Sequence, residues 1–157
     1  MKGKMTEKLA ALDPERDYQE IAYLLQCHEF RIISGRWNLR CFAEPSIPAL
    51  LFKTDGIVSR SRKRYDDTEL ILYEITENGF DSERGQAALK RMNQMHSRFP
   101  IANEDFLYML STFVFEPIRW LNRYDWRSLR SHEGQGLFRL YCELRRRMHI
   151  RDIRRYR

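Results

Sequence analysis

Almost every segment of the chain with a clear apolar rhythm repeats at three and four residues, and none alternates in twos between hairpin turns. "LDPERDYQEIAYLLQCHEF" brings Tyr18, Ile21, Ala22 and Leu25 to one helical face, with Asp13 as the expected N-cap and Pro14 as the first helical residue. "RIISGRWNLRCFAE" reads as a second helix stopped by Pro45, and "SIPALLFKTDG" as a short third one closed by Gly56. "IVSRSRKR" reads as a basic loop, and "YDDTELILYEITENGF" as a helix ending at Asn78-Gly79. Ser82 then caps "ERGQAALKRMNQMHSRF", which Pro100 terminates. Asn103 is the expected cap of "EDFLYMLSTFVFEPIRWLNRY", which Pro117 should kink or whose straight part it should end. "SLRSHEGQGLFRLYCELRRRMHI" forms the last helix, weakened early by Gly134 and Gly136. The expected fold class is all-α, a single compact multi-helix domain with short connections.

Composition narrows the picture. The chain has 157 residues, which fits one domain, and 43% are hydrophobic, which supplies a core and excludes a disordered chain. Cys27, Cys41 and Cys142 are odd in number and in no metal spacing, so they read as buried free thiols. No apolar stretch is long enough to span a bilayer, and the first residues lack a signal-peptide core. A cytoplasmic or peripheral-membrane location is the expectation. The net charge is +6, with much of the excess in "RRRMHIRDIRRYR". That segment is either a solvated helix face or a contact for an acidic partner: nucleic acid, anionic lipid or the propionates of a cofactor. No helix-turn-helix, RNA-binding or P-loop signature is present, so nucleic acid is not expected, while a membrane surface stays open.

The candidate chemistry centres on "RMNQMHSRF". Three- and four-residue spacing puts His96 on one face with Ala88, Met92, Met95 and Phe99. Alone, a histidine on an apolar face is more ordinarily a hydrogen-bonded core residue. On the preceding helix, however, Arg64, Thr68, Ile71, Leu72 and Ile75 also share a face. Arg64 is either turned inward, where it needs an anion, or exposed and paired with Asp66 and Asp67. No second His, Cys or carboxylate stands three or four residues from His96, as a zinc or di-iron site would want. A single axial histidine in an apolar helical pocket suits haem, whose porphyrin supplies the other four ligands.

The stretch from "RYDDTELILYEITENGF" to "FLYMLSTFVFEPIRW" resembles the MpaB/rubber-oxygenase catalytic-domain family, and its MpaB branch most closely. The resemblance spans about "LDPERDYQEI" to "RRRMHIRDI", placing the domain at residues 13–153 after an N-terminal extension at 1–12. It implies an all-helical fold binding haem b, and oxidative cleavage of a carbon–carbon double bond in an isoprenoid or other apolar substrate with molecular oxygen. In the family, His96 of "MNQMHSRF" matches the proximal iron ligand, and Arg64 and Thr68 of "RYDDT" match the distal arginine and threonine. Rubber oxygenases carry a lysine where this chain has Asp67, and His149 stands where a glycine is expected. Relatives continue beyond "RRYR", so the domain is expected to be incomplete at its C-terminus. Two rival readings remain: a degenerate or truncated member without activity, and a basic all-helical binding module.

Overall fold

The computed structural model describes residues 2–28, 40–53, 61–124 and 127–151, the side chains of 2–4, 41, 61, 64 and 65 excepted. Among these residues it is helical and contains no strand. The helices are α1 (Lys2–Ala10), α2 (Tyr18–His28), α3 (Ser46–Lys53), α4 (Ser61–Asn78), α5 (Glu83–His96), α6 (Asn103–Tyr124) and α7 (Ser131–Arg147), with a 3-10 turn at Cys41–Ala43.

Helix α2 is central: it lies along α7 most extensively, and also against α4 and α1. Helices α4 and α5 form an antiparallel hairpin, and α6 packs on α7. Leu9, Ile21, Leu25, Ile75, Phe80 and Leu121 expose almost no surface. Each such side chain contributes about 1.5–3 kcal/mol of burial.

The hairpin turn follows its sequence. Gly79 takes φ 84°, the left-handed conformation that closes α4. Ser82 Oγ accepts a hydrogen bond from the Gly85 N–H at 3.0 Å and so caps α5. Gly85 is required for a second reason: a Cβ there would stand 1.8 Å from the Gly79 carbonyl oxygen.

Several expectations change. Asp13 does not cap α2. Its carboxylate accepts from the N–H groups of Glu15 and Arg16 in a turn, and the helix begins only at Tyr18. Residues 2–10, read as part of an extension, form α1, whose Met5 and Leu9 enter the core. Within the expected basic loop, residues 61–64 are already helical, held by Arg62–Asp66 and Lys63–Asp67 pairs one turn apart. Most of the expected second helix (31–39) and Gly56 lie outside the described residues. Helix α6 continues through Pro117. Asn103 is helical at the start of α6, but its side chain tethers the C-terminal segment, bonding the backbone N–H and C=O of Arg151 at 2.8 and 3.0 Å.

Helix α7 is unbroken at Gly134 and Gly136. Gly136 allows a close approach: a Cβ there would lie 2.9 Å from two carbons of Ile21. The end of α7 is tied down as well. The Arg147 guanidinium pairs with Glu143 and Asp81, donates to the Phe80 carbonyl and covers the Phe80 ring. Part of the terminal basic charge is thus committed to joining α7 to the α4–α5 turn.

Candidate functional site

A cavity of about 740 Å³ opens between α2, α4, α6 and α7, within the range of small-molecule sites, roughly 300–1,000 Å³. Its walls are mostly apolar. Leu137, Leu140 and Leu144 face it from α7, with Leu72 and Ile75 from α4 and Phe80 from the turn. The polar groups stand mainly along α4 and α2: Asp66, Thr68 and Glu69 in one cluster, Gln26, Cys27 and Tyr73 in another.

Most of this polar wall is internally satisfied. The Thr76 hydroxyl donates to Gln26 Oε1 at 2.8 Å. The Tyr73 hydroxyl lies 3.5 Å from that of Tyr23 and donates to Glu77 at 3.3 Å. The hydrogen bond with Tyr23, followed by burial, raises the Tyr73 phenol above its ordinary range. Tyr141 completes the α7 wall, its ring stacked on Phe113 with centroids 5.8 Å apart and planes at 11°. Burial pushes its phenol up as well, so it remains protonated at neutral pH.

The structure distributes the sequence candidates as follows. Thr68 stands at the cavity, exposed towards it. Arg64 lies one turn earlier on α4, and its side chain lies outside the described residues. Asp67 turns to Lys63, whose hydrogen bond lowers its carboxyl below the usual value. His96 is half-buried at the end of α5 and is not on the cavity wall. Its ring meets Phe106 of α6 edge-on, with centroids 5.2 Å apart and planes at 81°. This contact is with α6, a neighbour that the spacing along α5 does not identify. The α5 face also ends early: the helix stops at His96, and Phe99, in the turn beyond, stays exposed.

Helix α6 connects the two places. Phe106 meets His96 and Phe113 lines the cavity. Seven residues at 1.5 Å each put them about 10 Å apart on nearly the same stripe. Likewise, Thr68 and His96 both lie away from the α4–α5 turn, by about 15 and 20 Å along their helices. The imidazole therefore lies at the open end of the hairpin, while the cavity runs along α4 from Thr68 to Phe80 at the turn.

Among the described residues, no group of three or more His, Cys, Asp or Glu is placed to hold a metal ion. No helix among the described residues is long and apolar enough to cross a membrane. Tyr141 was not singled out from the sequence. Its position between Leu137 and Leu144, on the apolar face of "LFRLYCEL", was the available signal.

An all-helical protein with a walled apolar cavity is the class that fold and site define. Sequence comparison sharpens it. The chain is 35% identical over 106 residues to the ER-bound oxygenase mpaB of Penicillium brevicompactum, covering 62% of this chain and 27% of that protein. It is equally identical over 106 residues to the ER-bound oxygenase mpaB' of the same fungus, covering 25% of it. It is 34% identical over 104 residues to the ER-bound oxygenase mpaB of Penicillium roqueforti (strain FM164), covering 35% of it. These matches support assigning the chain to an MpaB-like family. They cover less than the near-complete span expected from the resemblance, and the chain spans about a quarter to a third of the length of these relatives. No family model matches the chain. No solved structure matches it either.

Proposed function

We propose that the chain is a haem b-dependent, MpaB-like oxygenase domain acting on an isoprenoid or other apolar substrate. The observation that carries this reading is Thr68 at an apolar cavity, with Phe106, the ring against which His96 packs, two turns before the cavity-lining Phe113 on α6, in a chain 35% identical over 106 residues to named oxygenases.

His96 would hold the iron, and haem, when bound, supplies the oxygen chemistry. The chain's own residues do the rest. The imidazole must be neutral at its coordinating nitrogen, and the edge contact with Phe106 restricts its ring. Leu72, Leu137, Leu140 and Leu144 receive the apolar substrate and exclude water. The Thr68 hydroxyl at the cavity orients a bound oxygen or water. Arg64, one turn before it on α4, supplies a charge-assisted hydrogen bond to negative charge developing on oxygen. Asp67, a carboxylate paired with Lys63, offers no cation at the position of the rubber oxygenases' lysine.

The test is a haemin titration of the purified chain, followed by its visible spectrum. Wild type should develop a Soret band. His96→Ala should lose it while far-ultraviolet helicity survives. Arg64→Ala and Thr68→Ala should keep the haem and lose oxygen-dependent turnover of an isoprenoid test substrate. An unchanged spectrum in His96→Ala would return His96 to the core and remove the reading's anchor.

A further inference from the structure

The cavity wall contributed by α7 is apolar at Leu137, Leu140 and Leu144, and carries one hydroxyl, that of Tyr141. Stacking on Phe113 fixes the plane of that ring, so the hydroxyl has a set direction. Tyr141 is part-buried and lines the cavity. Among the described residues, nothing accepts or donates a hydrogen bond at its hydroxyl. Thr76 and Tyr73, by contrast, are committed to Gln26 and to Tyr23 and Glu77. A neutral, oriented donor in an apolar wall discriminates strongly for a ligand that brings an acceptor. Among the described residues of the lining, the charged groups, Asp66 and Glu69, are both acidic. An anionic ligand would be desolvated beside these two carboxylates, which disfavours it.

We infer that this cavity binds an uncharged, elongated apolar molecule carrying one hydrogen-bond-accepting oxygen, a ketone, aldehyde or ether, which the Tyr141 hydroxyl receives. This deepens the reading of the cavity as the substrate site, and rests on it for the ligand's role as substrate. Binding itself needs no haem. Tyr141 is a specificity-determining residue, and the apolar part of the ligand lies along Leu137, Leu140 and Leu144.

The experiment is displacement of Nile red from the full-length, haem-free chain by methyl nonyl ketone, undecane and undecanoate. Wild type should bind the ketone more tightly than undecane, and undecanoate least. Tyr141→Phe keeps the ring and its stack and removes the donor. It should weaken the ketone about 3- to 10-fold and leave undecane unchanged, with the same helical spectrum as wild type. Cys27→Phe, which narrows the cavity from α2, should weaken ketone and undecane alike. Equal affinity for ketone and undecane, a ketone affinity indifferent to Tyr141→Phe, or tight binding of undecanoate would each overturn the inference. A chain that takes up haem through His96 but ignores the ketone sinks this inference alone. A chain that binds the ketone but no haem sinks the oxygenase reading alone.

Discussion

A single methyl group decides how closely α7 can lie on α2. Gly136 sits against Ile21, and a Cβ would come within 2.9 Å of its Cγ2 and 3.1 Å of its Cβ, atoms that cannot swing aside. Gly136→Ala should therefore destabilise by about 1–3 kcal/mol, even after the roughly 1 kcal/mol that alanine gains in a helix. Urea denaturation measures this, and Ile21→Ala in the Gly136→Ala background should recover part of the loss. A more stable Gly136→Ala would refute the close packing. The sequence reading took Gly136 as a weak point because propensity sees only the helix's own backbone, not its neighbour. At His149, where the family resemblance leads one to expect glycine, the backbone gives the reason. The residue adopts φ 59°, while the Ile150 and His149 N–H groups donate to the Arg145 and Arg146 carbonyls at 3.1 and 3.2 Å, closing a Schellman motif. Glycine is the usual occupant there, and His149→Gly should stabilise the protein by roughly 1 kcal/mol in the same assay.

At the scale of the element, α7 is held by charge at both ends. Near its N-terminus the buried Glu133 carboxylate accepts from the Arg130 N–H at 2.8 Å and from Arg127 at 2.7 Å. Glu133→Ala removes the carboxylate from a buried pair and should cost about 3–5 kcal/mol. Near the C-terminus, hydrogen bonds from Arg146 and then Arg147 hold the Glu143 carboxyl down at about 2. A carboxyl depressed on folding gives stability that is complete above its unfolded value, near 4.5, and is lost as pH falls towards 2. The contribution is on the order of 1–3 kcal/mol. Glu143→Gln should therefore flatten the decline in stability between about pH 4.5 and 2, read from thermal midpoints across that range. An unchanged acid limb would show that the pair contributes nothing. Such pairs explain where element boundaries were legible. The apolar rhythm located α4 to α7. It missed the first turn of α4, because the Arg62–Asp66 and Lys63–Asp67 contacts that extend it leave no apolar trace.

At the scale of the molecule, the same limit separates the visible part of the site from the hidden part. Spacing along α4 brought Thr68 to a pocket. Spacing along α5 turned His96 inward, but only the packing of α6 makes Phe106 its neighbour. Tyr141 required knowing that α7 and α4 face each other across the cavity. Helix α1 was missed for a related reason: its buried positions, Met5 and Leu9, are two apolar residues in a polar stretch, too few to show a period. Yet Leu9 is fully buried, and its carbonyl meets His132 Nε2 at 3.0 Å, so α1 joins the start of α7 as well as resting on α2. Leu9→Ala should destabilise by about 2–5 kcal/mol, measured by urea denaturation. None of the described residues lining the cavity comes from α1. Below its transition the variant should therefore bind methyl nonyl ketone as wild type does. A stability loss that also erased ketone binding in the folded protein would mean that α1 shapes the cavity through α2. Leu9→Ala with wild-type stability would mean that the chain folds around a core in which α1 has no part.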